Sequence, residues 1–167
     1  MEIVIDLKKV LEDVGRESAY VGAKNINEKD AARYGRIATT SADREQLNCA
    51  IKTAVGELAN ASSDHLTRAV FVDEESNAAP AERAAAVVLT YSMTHNFDRS
   101  AELACQESAH RYIVEMALAE WMAVVEPDRV QYYGQQAQVA FKQFLIAFFK
   151  RERPGMQRVS IIKERGL

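Results

Sequence analysis

The sequence predicts a mainly α fold: a helical bundle of about four helices with a β-hairpin arm and an extended C-terminal tail. Three observations predict it. Apolar residues recur at helical spacing in several long stretches. One central run alternates at the two-residue spacing of a strand instead. A Pro154-Gly155 break then cuts off a short last segment. At 167 residues the chain has the length of one domain, placed at 1–154, with the arm inserted at about 68–97 and the tail at 155–167.

Leu7, Val10, Leu11, Val14 and Val21 form one side of a first helix over about 6–21, with Lys8, Lys9, Glu12, Asp13 and Arg16 opposite. Asp6 is placed to cap its free amides, and Gly22 to close it in the left-handed conformation. A short helical turn is expected over 28–36. Leu47, Ala50, Ile51, Ala54, Val55 and Leu58 keep one stripe of a second helix over about 41–61. Thr40 with Asp43, or Ser41 with Arg44, gives its capping signal.

Residues 68–72 are a β-branched and aromatic run, and 73–80 supply turn residues. From Ala85 the chain alternates, with Ala85, Val87, Leu89, Tyr91 and Met93 on one side and Thr90, Ser92 and Thr94 on the other. That is a strand, with a helix as the competing reading because of the alanines at 84–86. Two strands alone are marginally stable. The arm is therefore expected to lie on the helices or to add to a strand of a neighbouring subunit.

Asp98 or Ser100 opens a third helix in which Leu103, Ile113, Met116, Ala117, Trp121 and Val124 recur at core spacing, until Glu126-Pro127 interrupts it. Pro127 and Asp128 suit a helix start, so a fourth helix follows as the antiparallel neighbour of the third. Val130, Tyr133, Ala137, Phe141, Phe144, Leu145 and Phe148 line its inner face, and Pro154-Gly155 ends it. Ile146 and Phe149 lie off that stripe. A second burial surface is implied, against another helix of the same chain or against another subunit.

Composition narrows the function classes. Hydrophobic residues at 48% and charged residues at 27% are globular proportions, which exclude disorder for most of the chain. A net charge of −3 excludes a general attraction to nucleic acid or to an anionic membrane. Glu2 and Asp6 stand where a secretory leader carries basic residues, and apolar runs such as 84–89 fall far short of the roughly 18 residues of a spanning helix. The chain is thus expected to be neither secreted nor membrane-spanning. Cys49 and Cys105 lack metal or redox spacing and are expected to be small buried hydrophobes, rather than a disulfide or a reactive thiol.

No arrangement of catalytic or metal-binding residues emerges. His65, His95 and His110 are scattered, and Glu102, Glu107, Glu115 and Glu120 lack the Glu-x-x-His pattern of a di-metal bundle. Phosphate-binding glycine loops and a GxSxG elbow are absent. No enzyme, metal or cofactor is expected. From Lys150 on, six Lys or Arg stand against two Glu. Lys150, Arg151, Arg153, Arg158, Lys163 and Arg165 are therefore the candidate contacts to nucleic acid or an acidic partner, by salt-dependent phosphate contact rather than base reading.

Two stretches, IDLKKVLEDVGRESAYVGAK and the later VLTYSMTHNFD through KRERP, together span about half the chain and carry a resemblance. They resemble small neck or head-tail connector proteins of tailed bacteriophages, of the kind carried by phages and prophages of gut Bacteroidales. Asn96, Phe97 and Asp98 match that family's turn after a polar strand. Leu118, Glu120 and Trp121 match a segment of its long helix, and Arg151, Arg153 and Pro154 its basic helix end. The resemblance implies a mostly helical subunit with a β arm and an extended terminus, assembled as a homo-oligomeric ring between portal and tail around the DNA channel. It implies the virion neck as location, the host cytoplasm during assembly, portal and tail or neck proteins as partners, and no membrane. On this view the arm pairs with a neighbour by strand addition and the tail docks on an adjacent ring. The candidate interface residues are then Val70, Val72, Val87, Leu89 and Tyr91 on the arm, Ile146 and Phe149 on the last helix, and Val159, Ile161 and Ile162 in the tail. A tail-completion or assembly adaptor of the same particle is the alternative. A small DNA-associated regulator from a mobile element is another, with the basic tail as its support.

Overall fold

The computed structural model describes residues 1–24, 37–73 and 84–152. The turn expected over 28–36, most of the 73–80 loop and the tail lie outside those residues, and with them Arg153, Arg158, Val159, Ile161, Ile162, Lys163 and Arg165. The described residues are mainly α, with four helices and one small antiparallel sheet.

The sheet has one strand more than the expected hairpin. Glu2-Ile3-Val4-Ile5-Asp6 alternates outward charged or exposed residues with buried isoleucines and forms β1 (Glu2–Asp6). It pairs antiparallel with β3 (Ala84–Tyr91), whose other edge pairs antiparallel with β2 (Leu66–Asp73), giving the order β1-β3-β2. The helix reading of 84–86 is thereby set aside. β2 and β3 form the expected hairpin and β1 adds a third strand to it, so β3 is a central strand with both backbone edges filled from its own chain. Val87, Leu89 and Tyr91 turn inward beside Ile3 and Ile5 and are 0%, 1% and 3% exposed. None of the three is open to a neighbouring subunit, because they roof the chain's own core.

Asp6 ends β1 and caps α1 (Leu7–Lys24), its Oδ1 accepting the Lys9 N–H at 3.0 Å. Leu7, Val10, Val14 and Val21 form the buried stripe. The helix runs past Gly22, which is buried, and no described glycine takes a positive φ, so the left-handed stop expected there is not used. Buried Ser18 accepts the Thr39 N–H at 3.2 Å and fixes the approach to the second helix. Both the Thr40 N–H and its hydroxyl donate to Asp43 Oδ2 at 2.7 Å. That is the Thr40/Asp43 capping signal, and it leads through a short 3-10 turn into α2 (Arg44–Ala61). Cys49 falls opposite the buried stripe of Leu47, Ile51, Ala54, Val55 and Leu58, so it is exposed, contrary to expectation.

Asp98 accepts the Ser100 N–H at 3.0 Å and caps the turn that opens α3 (Glu102–Val125). This helix is the centre of the fold, packed against α1, α2, β1 and α4 (Val130–Phe148). Leu103 and Val124, expected in the core, are exposed: Leu103 shares its face with Glu107 and Arg111, and Val124 with Glu120. The Glu126-Pro127 break makes α3 and α4 antiparallel, and Tyr133, Ala137, Ala140, Phe144, Ala147 and Phe148 of α4 are buried. The helix ends at Phe148, before the Pro154-Gly155 stop expected from sequence. Its continuation turns back along 96–98 instead. Asp98 donates its N–H to the Lys150 carbonyl at 3.2 Å, Glu152 its N–H to the Asn96 carbonyl at 2.8 Å, and Phe97 bridges Arg151.

Candidate functional site

Among the described residues no group of three or more His, Cys, Asp and Glu is arranged to hold a metal ion, and no helix is long and apolar enough to cross a membrane. One polar recess lies between α1, α3 and α4, where Asp13, Arg16, His110, Arg111, Glu115 and Tyr133 meet. Asp13 bridges His110 Nε2 at 2.8 Å and Arg16 Nη2 at 2.6 Å. Partial burial pushes the Asp13 carboxyl up, but the His110 hydrogen bond and the Arg16 charge outweigh it and hold the group below the usual carboxylate range. Glu115 goes the other way, raised by burial against the nearby Arg111 guanidinium. Arg16 with Asp13 and Arg111 with Glu115 pair within their own helices, and the Asp13–His110 hydrogen bond crosses between them and ties α1 to α3. Sequence reading missed this pair because Asp13 and His110 are 97 positions apart.

The thiols differ in the same physical way. Cys105 is buried and its thiol is pushed up to about 11, mainly by desolvation, while Cys49 faces solvent.

Apart from Tyr20 on α1 and Leu103 and Val124 on α3, the large exposed apolar side chains among the described residues fall on two surfaces of different build. The first is the outer side and free edge of the sheet. Register places Val4, Val88 and Val70 in one row across the outer face, with Val72 in the next row and 45% exposed. Phe71, on the inner side but past the helices' cover, is 51% exposed. The second surface is the outer side of α4, where Tyr132, Val139 and Ile146 recur every seven residues and are all exposed. Ile146 is 73% exposed, so none of the described helices covers it, and Phe149 is 46% exposed while its ring also meets His65 and Phe148. Val70, Val72, Ile146 and Phe149 thus sit on surfaces, whereas Val87, Leu89 and Tyr91 do not. Val4, Phe71, Tyr132 and Val139 were missed, although the seven-residue spacing on α4 was present in the sequence.

Two of the basic candidates have other work. Lys150 Nζ pairs with Asp98 Oδ2 at 2.9 Å, and Arg151 donates to the Thr94 hydroxyl and to Asn96 Oδ1. The Ser100 hydroxyl and the Lys150 ammonium together hold the Asp98 carboxyl down at about 2. The Asn96-Phe97-Asp98 turn and the basic end of α4 are therefore one locked corner, in which Lys150 and Arg151, candidate contacts to nucleic acid or an acidic partner, are bonded to their own loop. Comparison with known protein families, curated proteins and solved structures finds no match for this chain.

Proposed function

We infer that the chain is a structural protein of a phage neck, a head-tail connector that joins portal to tail as a ring around the DNA channel. One observation carries the reading: the subunit has two separate exposed apolar surfaces of different make, the β2 side of the sheet and the outer stripe of α4. A ring is built head-to-tail, so each subunit needs two unlike patches that fit each other. The locked corner adds support, since two of the three motifs that carry the resemblance, the Asn96-Phe97-Asp98 turn and the basic helix end at Arg151, meet there. The virion neck is the corresponding location, with portal and tail proteins as neighbours and packaged DNA passing through. Its mechanism is assembly rather than turnover. The alternative of a DNA-associated regulator loses ground because Lys150 and Arg151 bind their own loop.

The test is the molar mass in solution of the full chain and of a version ending at Pro154. A species many times 18.7 kDa is expected for the full chain in the presence of a portal ring. A monomer that stays single in the presence of portal and tail particles overturns the ring and favours an assembly adaptor.

A further inference from the structure

We propose that the free chain pairs with a second copy of itself through β2, edge to edge and antiparallel, to make a continuous six-stranded sheet from two three-stranded ones. The backbone register identifies the open groups. Tyr91 donates its N–H to the Met1 carbonyl at 2.8 Å and accepts from the Met1 amine at 3.0 Å, so the backbone groups of Tyr91, and by alternation those of Leu89 and Val87, face the β1 side. Those of Thr90, Val88 and Ala86 then face β2, where the Thr67 hydroxyl reaches the Thr90 carbonyl at 2.9 Å. Arg68, Val70 and Val72 stand opposite them and spend their amides on β3. Ala69 and Phe71 are left with N–H and C=O directed at the outer edge, which no described strand covers.

The other edge of the sheet is capped at the middle of β1. Val4 donates its N–H to Gln106 Oε1 at 2.9 Å and accepts from Gln106 Nε2, so one side-chain amide of α3 takes both groups. Among the described residues β2 has no such cover. It carries Ala69, Val70, Phe71 and Val72 in succession, with no proline and with its bulges only toward its two ends. An apolar open edge of this kind is a template for another strand.

The second copy fits because β2 is complementary to itself. A two-fold axis normal to the sheet keeps inner faces together, so residues pair only with others on the same face. With Val70 on the axis, Val70 meets Val70 of the second copy, Ala69 meets Phe71, and Arg68 meets Val72. Ala69 and Phe71 are the residues whose backbone groups are free, so they become the hydrogen-bonded pairs, and Val70 falls at the close, non-bonded pair. Large Phe71 covers small, exposed Ala69, and the stem of Arg68 covers Val72. The row Val4–Val88–Val70 continues through the axis into its own copy. A single edge contact buries less than the roughly 1,200 Å² of a stable complex, so the pairing is reversible and depends on concentration. This inference does not rest on the ring: a dyad closes after two copies, whereas a ring does not.

The experiment is sedimentation of the full chain from about 1 µM to about 1 mM, together with Val70→Lys and Val70→Glu. The wild-type mass is expected to rise from one copy to two and stop. Each variant places like charges on the axis and is expected to remain single, while an equimolar mixture of the two returns to two copies. Amide exchange of the wild type provides a reading that needs no substitution: Ala69 and Phe71 become protected as concentration rises, and Val70 and Val72 are protected throughout. The proposal fails if the wild type stays single over the whole range, if both variants dimerise as it does, or if the Ala69 and Phe71 amides exchange at one rate at every concentration. A species far above two copies for the free chain also refutes the closed dimer.

Discussion

Phe148→Ala is expected to destabilise the chain by about 4 kcal/mol, and Ile146→Ala, two positions away on the same helix, by less than about 0.5 kcal/mol. The contrast follows from where the side chains lie. Phe148 is 1% exposed, and its ring centroid is 5.0 Å from that of Tyr91, 5.4 Å from Phe144 and 5.8 Å from His65. It joins α4 to β3 and to the turn after α2. An aromatic side chain buries roughly 150–250 Å², worth about 4–6 kcal/mol at about 25 cal/mol per Å². Ala keeps part of this, but the walls belong to three separate elements and cannot all close on the cavity, so most of the loss remains. For a chain of this size the melting temperature is expected to fall by about 8–16 °C. The assay is urea unfolding followed by fluorescence of Trp121, the single tryptophan, which is buried and donates to the Ile37 carbonyl at 2.8 Å. Low protein concentration keeps association out of the comparison. A cost below about 2 kcal/mol for Phe148→Ala, or above about 1.5 kcal/mol for Ile146→Ala, would refute the assignment of inner and outer faces on α4.

Three further outcomes are expected. Trp121→Phe leaves the buried Ile37 carbonyl without its donor and is expected to cost about 1–3 kcal/mol in thermal unfolding, whereas no measurable shift would mean that water reaches that carbonyl. An aromatic disulfide reagent is expected to label Cys49 rapidly in the folded chain and Cys105, whose thiol burial pushes up to about 11, only on unfolding; two equally fast thiols would contradict the burial. The Asp98 carboxyl, held down at about 2 by Ser100 and Lys150, is expected to titrate there by NMR, and Lys150→Met to raise the midpoint. Because the folded value is depressed, the corner's contribution is full above the ordinary carboxylate range near about 3.9 and is lost as pH falls through the folded value. An Asp98 midpoint near about 4 would break that linkage.

What the sequence made legible is what repeats locally. The four helices follow from apolar stripes and from Asp6, Thr40 with Asp43, Asp98 and Pro127 at their starts. β2 and β3 follow from β-branched alternation. β1 alternates equally well, but it is five residues long and runs straight into a helix cap, so its local signal merges with that of α1. Its strand character is completed by β3, far along the chain. Leu103 and Val124 show the converse error: each sits at apolar spacing yet shares a face with charged residues, and the charges decide which side meets water. Ile146 and Phe149 were legible as lying off the inner stripe, but whether anything covers them is a tertiary fact. The Asp13–His110 clamp had no local trace at all.

The closing of one sheet edge and not the other gives Gln106 a role that its position on a solvent-facing part of α3 does not suggest. Its amide is matched to both outward groups of Val4, donor to acceptor and acceptor to donor, with separate atoms for the two bonds. Gln106→Ala leaves those groups to water, a modest loss of about 1–2 kcal/mol for two exposed hydrogen bonds. The larger consequence is topological. With Val4 uncovered the sheet has two open edges, and copies already joined through β2 then have a second edge by which to continue. The expected results are a Val4 amide that exchanges about tenfold faster or more, and particles heavier than two copies at concentrations where the wild type stops at two. Gln106→Glu separates the two effects: it keeps the acceptor for the Val4 N–H, loses the donor to its carbonyl, and adds a charge that discourages an incoming strand, so the mass should stay at two copies. If Gln106→Ala leaves both the Val4 exchange rate and the mass unchanged, the edge of β1 is closed by the bulk of α3 rather than by this amide.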